Sequence, residues 1–286
     1  EIYQKYANQL LNANLAYWCY CTEAELENER KDQYSKHQAP KYSGKCRNLT
    51  QAQIKNNKKE GRKPSLRFKI ESREKVKFKD LVHGKVEFDP ELFGDFVIVK
   101  SDGMPTFIFA GIIDDAEMKI SHVIRGDDHL SNTPKQILLA EKLNLLIPEY
   151  AHLPMILNPD RTKLSKRKNP VSMTTDFRDQ GYLPEALINF MALLGWSPSS
   201  NQEIWSLKDL IAEFSLENVQ KSPAVFDIDK LNWLNGYYIR QLPIGELCRR
   251  ALPIIQPLGF DHDKDKLIMA LSLVQERIKK LTEIPE

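Results

Sequence analysis

The sequence predicts an α/β protein, and three observations support this. Residues 64–110 alternate apolar and polar side chains in the manner of strands, residues 112–157 follow a strand, helix and strand order, and the pattern from Pro184 onward is helical. Strands connected through helices are typical of a parallel sheet of the doubly wound type. A chain of 286 residues is long enough for roughly two domains with a sizeable core.

The first segment is predicted to be an amphipathic helix. Its apolar residues recur at helical spacing, at Ile2, Tyr6, Leu10 and Leu11. The aromatic-rich residues 17–21 are predicted to be extended, and the charged residues 23–36 are predicted to form a second helix.

Three strands are predicted within residues 64–110, around 66–70, 96–99 and 106–109. Turns at His83-Gly84 and at residues 101–103 separate them, because glycine readily adopts the backbone conformations of tight turns.

The next segment is predicted to contain a helix that leads into a short buried strand at residues 122–125. A further helix follows Asn132, with Thr133 as its cap and Pro134 at its first position. Residues 151–157 are predicted to form one buried strand. The later helical region has an apolar stripe that consists of Ala186, Leu187, Phe190, Met191 and Leu194.

Charge is unevenly distributed although the net charge is only +2. Residues 55–80 contain eleven Lys or Arg and four acidic residues, and five of the eight residues 161–168 are basic. Such local excess suits a polyanionic partner, and a solvated surface is the alternative. No apolar run reaches the roughly 18 to 20 residues of a membrane span. Four cysteines in a chain of this length do not resemble a disulfide framework, so we expect a cytoplasmic protein.

A basic loop at residues 163–167, with the sequence KLSKR, follows the predicted buried strand. Two lysines three positions apart can place ammonium groups on neighbouring phosphate oxygens, where negative charge develops as pyrophosphate leaves. A basic surface loop without function is the alternative for this motif alone.

In its context the loop resembles the KMSKS motif of class I aminoacyl-tRNA synthetases, in the form common among glutamate-specific members. Other segments resemble that family in the same order along the chain. They are residues 101–115 (SDGMPTFIFAGIIDD), 122–136 (HVIRGDDHLSNTPKQ), 181–187 (GYLPEAL), 225–227 (VFD) and 230–235 (KLNWLN).

The resemblance implies a partial class I synthetase Rossmann domain with an α/β acceptor-binding insertion, followed by all-α stem-contact and partial anticodon-binding domains. The implied boundaries are 1–18 for the end of the first Rossmann half, 19–105 for the insertion, 106–170 for the second Rossmann half, 171–246 for the stem-contact domain and 247–286 for the start of the anticodon-binding domain.

The resemblance also implies roles for individual residues. Arg125, beside Phe107 and Gly111, lies where the family binds the side-chain carboxylate of glutamate; the alternative is an arginine paired with Asp127 or Asp128. The family often has Tyr at Phe107 and Asn or another larger residue at Gly111. The implied ATP-binding residues are Asp128 and His129 at the ribose, the main chain of Met155 and Ile156 at adenine, and the catalytic Lys163 and Lys166 at the phosphates.

Cys19, Cys21 and Cys46, with Tyr42, resemble the zinc site of some family members. Thiolates bind zinc tetrahedrally, and a structural site needs four ligands. Some relatives supply the fourth from a His two residues after the last Cys, where this chain has Asn48, and others from the Tyr, so the resemblance implies Tyr42 here. Ordinary buried thiols are the alternative. Cys248 is expected to be a core residue.

The implied function is ATP- and Mg²⁺-dependent glutamate–tRNA ligation by a monomer with tRNA-Glu, glutamate and ATP as partners. The family's His-x-Gly-His motif does not occur among the six histidines, so we expect the 286 residues by themselves to be inactive. The alternatives are a paralogue that glutamylates a modified base of tRNA-Asp and a non-catalytic tRNA-binding module. A glutamine-specific relative is disfavoured, because its C-terminal part is a β-barrel whereas residues 247–286 have a helical pattern.

Overall fold

The computed structural model describes residues 1–71, 74–164, 176–198, 200–259 and 263–285, and these form two compact units, 1–152 and 153–286. The division falls within the segment 106–170, and the five predicted domain boundaries remain predictions.

The first unit is α/β. Its helices are α1 (Ile2–Asn12), α2 (Glu23–Ser35), α3 (Gln51–Lys59), α4 (Phe107–Glu117) and α5 (Thr133–Leu143). Its strands are β1 (Ala16–Cys19), β2 (Ser65–Phe68), β3 (Val76–Asp80), β4 (Gly84–Phe88), β5 (Phe96–Val99), β6 (His122–Gly126) and β7 (Glu149–Leu153).

Two sheets organise this unit. The first has the order β1-β2-β5 with antiparallel neighbours, and the second has the order β4-β3-β7-β6. In the second sheet β3 runs parallel to β7, with Asp80 opposite Tyr150. One apolar core packs α1, α4 and α5 against the strands; its fully buried residues include Leu10, Leu66, Phe68, Ile98, Phe109, Ile112 and Leu139.

The second unit is mainly helical. It contains α6 (Asp176–Asp179), α7 (Pro184–Leu193), α8 (Leu207–Glu213), α9 (Ile228–Gln241), α10 (Ile244–Ile255) and α11 (Lys264–Val274). Two short parallel strands, β8 (Ile156–Leu157) and β9 (Ala224–Val225), pair beside them. The buried Asn235 side chain accepts a hydrogen bond from the Leu183 N–H and donates to the carbonyl of Lys279, so it connects α9 to two loops.

The α/β class, the first helix and the helical character of the second unit are confirmed. The helical pattern does not extend through residues 276–280, because the last α-helix ends at Val274. The prediction of a strand at residues 106–109 is wrong. Helix α4 begins at Phe107 instead. Phe109, Ile112 and Ile113 are fully buried at helical spacing, so the apolar run that resembled a strand is the buried face of a helix.

Three finer predictions are also wrong. Residues 151–157 do not form one strand, because Pro154, which has no N–H for a ladder, separates β7 from β8. Strand β6 is not buried, since it lies at the edge of its sheet and its Ile124 is 52% exposed. Thr133 does not cap α5: Asn132 occupies that position without a side-chain cap, and the Thr133 hydroxyl has other partners.

Candidate functional site

Arg125 projects from the edge strand β6 and is held by neutral groups. Its Nε donates a hydrogen bond to His152 Nε2 (3.2 Å), and its Nη2 donates to Thr133 Oγ1 and Gln136 Oε1, both at 2.7 Å. Its guanidinium carbon lies 5.5 Å from the centre of the Tyr150 ring. These uncharged acceptors on β7 and α5, together with the His129 carbonyl 3.5 Å from Nη2, therefore fix the orientation of the guanidinium.

The alternative in which Arg125 pairs with Asp127 or Asp128 is not observed. Within the described ranges no carboxylate lies within 4.0 Å of the Arg125 nitrogens, and Asp127 instead contacts His83 Nε2 at 2.7 Å. Burial lowers the pKa of Arg125, and the charges of Asp115 and Asp128 partly oppose this effect. The arginine is thus partly desolvated without a neutralising partner in contact, which favours binding of an anionic group.

A buried pair of ionisable residues lies behind Arg125. Asp80 ends β3, His152 lies on β7, and His152 Nδ1 is 2.7 Å from Asp80 Oδ2. Asp80 is 1% exposed and His152 is fully buried. Because β3, β7 and β6 are neighbours in the sheet, a chain of side-chain contacts runs from Asp80 through His152 to Arg125.

The pKa values of this pair define its charge state. Burial raises the pKa of Asp80, but hydrogen bonds from the His83 and Val82 N–H groups and from His152 outweigh burial, so the net shift is downward. Burial lowers the pKa of His152 and outweighs the opposing effect of Asp80. At neutral pH Asp80 is therefore a carboxylate and His152 a neutral imidazole.

Phe107 and Gly111 lie on α4 beside this group. The Phe107 ring is 57% exposed, and its centre lies 5.0 Å from that of the His129 ring. A Cβ atom at Gly111 would lie 3.1 Å from Gln136 Nε2, so the missing side chain makes room for the amide that holds Arg125. The structure thus brings Arg125, Phe107, Gly111 and His129 into one neighbourhood, with Asp128 on the 3-10 helix that follows β6.

The remaining predicted ATP-binding residues belong to the second unit. The Met155 carbonyl accepts a hydrogen bond from the Ala224 N–H (3.0 Å), and the Ile156 carbonyl accepts from the Leu164 N–H (3.2 Å). Lys163 forms an antiparallel bridge with Leu157, which ties the start of the basic loop to β8. Lys166 lies outside the described residues.

The sulfur atoms of Cys19, Cys21 and Cys46 lie within 4.8 Å of one another. The Tyr42 hydroxyl lies 3.4 Å from Cys19 Sγ and 3.6 Å from Cys21 Sγ, and Cys21 Sγ is 3.5 Å from Cys46 Sγ. A tetrahedral zinc with Zn–S bonds of about 2.3 Å would separate its sulfurs by about 3.8 Å. These four side chains therefore match the donors and spacing of a metal site.

The cysteine cluster also favours one deprotonated thiol. Hydrogen bonds from Cys21 and Cys46 lower the pKa of Cys19 and outweigh its burial. A thiolate is the form in which cysteine binds a metal.

Sequence reasoning missed Asp80, His152, Thr133 and Gln136 as parts of this site. Asp80 and His152 are 72 positions apart, so no local motif connects them. The available signal was a histidine within an otherwise apolar strand, since a buried imidazole needs polar partners.

Comparison with known proteins identifies the family. A sequence profile described as "tRNA synthetases class I (E and Q), catalytic domain" matches residues 1–233, most of the chain. The chain belongs to this family of class I tRNA synthetases. Among its relatives is a glutamate–tRNA ligase of Carboxydothermus hydrogenoformans, which is 49% identical over the whole chain. Another, glutamate–tRNA ligase 1 of Caldanaerobacter subterraneus, is 48% identical over 99% of the chain.

Solved structures are similar as well. A glutamate–tRNA synthetase from Elizabethkingia anophelis superposes with a TM-score of 0.85 at 33% identity over 99% of this chain. A glutamate–tRNA ligase from Elizabethkingia meningosepticum, solved in complex with its amino acid, gives the same TM-score. The chain spans 61% and 60% of the two curated relatives and 62% of the first structure. Within the described part of this synthetase chain, no helix is long and apolar enough to cross a membrane.

Proposed function

We propose that this chain carries a large part of the catalytic machinery of a glutamate–tRNA ligase. The observation that supports this most strongly is Arg125, a partly desolvated guanidinium whose hydrogen-bond partners are all uncharged. A guanidinium donates charge-assisted hydrogen bonds to a carboxylate, which distinguishes glutamate from the neutral amide of glutamine.

The proposed reaction has two steps. An oxygen of the glutamate α-carboxylate attacks the α-phosphorus of ATP, the bond to the β,γ-phosphates breaks, and glutamyl-adenylate and pyrophosphate form. A hydroxyl of the terminal ribose of tRNA-Glu then attacks the carbonyl carbon of this mixed anhydride, which gives glutamyl-tRNA and AMP. Mg²⁺ accompanies ATP and offsets the charge of its phosphates.

Each ATP contact in this proposal uses a particular chemical group. Asp128 and His129 hydrogen-bond the ribose, and the main chain of Met155 and Ile156 meets adenine. A carbonyl oxygen has two lone pairs, so the hydrogen bond that each of these carbonyls accepts leaves further capacity. Lys163 and Lys166 stabilise the charge on the leaving pyrophosphate.

The test is an aminoacylation assay. Because the chain spans 61% of the Carboxydothermus ligase, the assay uses this chain joined to the remaining segments of that protein. Charging of tRNA-Glu should require glutamate, ATP and Mg²⁺, and replacement of Lys163 and Lys166 by alanine should abolish it. A folded hybrid that does not charge tRNA with glutamate would refute the proposal.

We also propose that α3 and the loop after it contact tRNA. Lys55, Lys58, Lys59 and Lys63 are exposed, and the described residues give none of them an ion-pair partner. Two other basic side chains of the stretch 55–80 are neutralised or buried: Arg62 pairs with Glu25 and Glu60, and Arg67 is 7% exposed. The proposed second contact is the segment 233–240 of α9, where Trp233 is 44% exposed.

For the tRNA contact we predict a strong dependence on salt. Reversing the charge of Lys58 and Lys59 to glutamate should weaken tRNA binding roughly tenfold at low salt and reduce the slope of log K against log salt by about two, because two phosphate contacts are lost. Filter binding with the purified chain measures both. Lys208→Glu on α8 is the control, and an equal loss in both proteins would argue against a specific contact.

The proposal further includes one structural zinc bound by Cys19, Cys21, Tyr42 and Cys46, and a monomeric protein in the cytoplasm. Support for zinc comes from the sulfur spacing and from the Tyr42 hydroxyl beside two of the thiols. A structural zinc would stabilise the connection between β1 and the loop that contains Cys46.

A further inference from the structure

The buried pair of Asp80 and His152 has no role in the reaction described above, yet it contacts the proposed substrate-binding arginine. Both side chains are at most 1% exposed, and His152 Nε2 is the acceptor for Arg125 Nε. Burying a carboxylate and an imidazole is unfavourable unless both are well hydrogen-bonded. Their contacts indicate what this arrangement accomplishes.

The contacts of Asp80 assign the proton on His152. Asp80 Oδ1 accepts hydrogen bonds from the N–H groups of Val82 and His83, each at 2.9 Å. Asp80 Oδ2 lies 2.7 Å from His152 Nδ1. A carboxylate only accepts hydrogen bonds, so in the neutral imidazole Nδ1 carries the proton and Nε2 presents a lone pair.

That tautomer is the one that Arg125 requires. Arg125 Nε always carries a hydrogen, and it points at His152 Nε2 at 3.2 Å. A hydrogen on Nε2 would place two donors against each other. Asp80 thus determines, through His152, whether the guanidinium has an acceptor at its Nε edge.

The same contacts define which edge of the guanidinium remains for a ligand. Nε is bound to His152 and Nη2 to Thr133 and Gln136, whereas Nη1 has no hydrogen-bond partner in the part of the chain that the structure describes. Among the described residues, Nη1 is not one of the fully buried polar atoms without a hydrogen-bond partner. This unbonded nitrogen is therefore accessible.

We propose that Asp80 and His152 are positioning residues that fix the Arg125 guanidinium with Nη1 directed at the substrate carboxylate. The proposal rests on the proposed function for the identity of the substrate. The proton arrangement does not depend on substrate, so it can be tested separately. The geometry resembles that of an aspartate that orients a catalytic histidine, but here the oriented group is an arginine.

The first test is the tautomer of His152 in the unmodified chain. Two-bond ¹H–¹⁵N correlation spectra of the chain labelled with ¹⁵N-histidine, recorded at neutral pH, distinguish a hydrogen on Nδ1 from one on Nε2. His152→Gln identifies the signal by its loss. The hydrogen should be on Nδ1, and a hydrogen on Nε2, or a charged ring, would overturn the proposal.

The second test is Asp80→Asn. The carbonyl oxygen of the introduced amide should keep the place of Oδ1, because two backbone N–H groups need an acceptor there, so the NH₂ group faces His152 Nδ1. The hydrogen should then move to Nε2, and the Arg125 Nε–H should exchange faster with water. Asp127→Asn is the matched control, since Asp127 also lies 2.7 Å from a histidine nitrogen but does not contact His152, and it should leave the His152 hydrogen on Nδ1.

The kinetic consequence is measured in the hybrid ligase. Asp80→Asn should raise KM for glutamate roughly tenfold, about 1.4 kcal/mol, and leave KM for ATP unchanged. Equal effects on both KM values, or an unchanged His152 tautomer, would overturn the positioning role. If the unmodified hybrid did not charge tRNA with glutamate, the proposed function would be refuted. The ¹H–¹⁵N spectra of His152 would still test the proton arrangement.

Discussion

Replacing Arg125 with alanine should lower kcat/KM for glutamate in the hybrid ligase roughly 100-fold, about 3 kcal/mol, because the substrate carboxylate would be desolvated without its partner. KM for ATP should change little, since the arginine has no proposed ATP contact. Steady-state tRNA charging with varied glutamate and varied ATP separates the two effects.

Two further variants make this result specific. Arg125→Lys should lower kcat/KM almost as much as Arg125→Ala, because one ammonium group cannot contact His152, Thr133 and Gln136 and also bind a carboxylate. Arg249→Ala removes an exposed arginine that pairs with Glu246 and should change kcat/KM less than about threefold. A loss below about fivefold for Arg125→Ala, roughly 1 kcal/mol, would show that Arg125 does not bind the substrate.

Replacing Cys46 with serine should reduce bound zinc from about one equivalent to below about a tenth, because a structural zinc site needs four ligands. Since metal binding contributes directly to folding, the first unit should also unfold at lower denaturant concentration. Metal analysis of protein purified without added zinc, together with urea unfolding, measures both quantities.

The matched control is Cys248→Ser. Cys248 is also buried, but it packs in the apolar core around α10 of the second unit and is not a member of the cysteine cluster. The Cys248→Ser variant should be less stable than the unmodified protein but should keep its bound zinc. If the unmodified protein contained less than about a tenth of an equivalent of zinc, the zinc proposal would be refuted, and Cys19, Cys21 and Cys46 would be ordinary buried thiols.

The candidate site residues that the sequence predicts lie in contiguous motifs. Arg125, Asp128 and His129 belong to one run of residues, and the structure places this run at the end of β6 and in the 3-10 helix after it. Their roles were predicted from resemblance alone. The structure adds an observation that supports the role proposed for Arg125, which is its desolvation beside uncharged acceptors.

The support behind Arg125 could not be predicted, because it depends on sheet order. Asp80 and His152 meet only because β3 runs parallel to β7. Asp127, two positions from Arg125 in the sequence, is instead bound to His83. The closeness of Arg125 and Asp127 in the sequence therefore did not predict an ion pair between them, because the turn between β3 and β4 brings His83 against Asp127 instead.

The errors in secondary structure have a similar cause. Residues 107–113 are nearly all apolar, and such a run fits a buried helix face as well as a strand. Only the packing of Phe109, Ile112 and Ile113 into the core distinguishes the two. The consequence for the site is direct, because a helix places Gly111 against Gln136.

The most direct test of the central claim, that Arg125 selects a carboxylate, is the ratio of kcat/KM for glutamate to that for glutamine in the hybrid ligase. A site built around a charge-assisted pair should favour glutamate by at least roughly 1,000-fold, because glutamine would leave the partly desolvated guanidinium without an anionic partner. In Arg125→Ala this ratio should collapse. A ratio within about tenfold of unity in the unmodified protein, or a ratio that Arg125→Ala leaves intact, would contradict the claim.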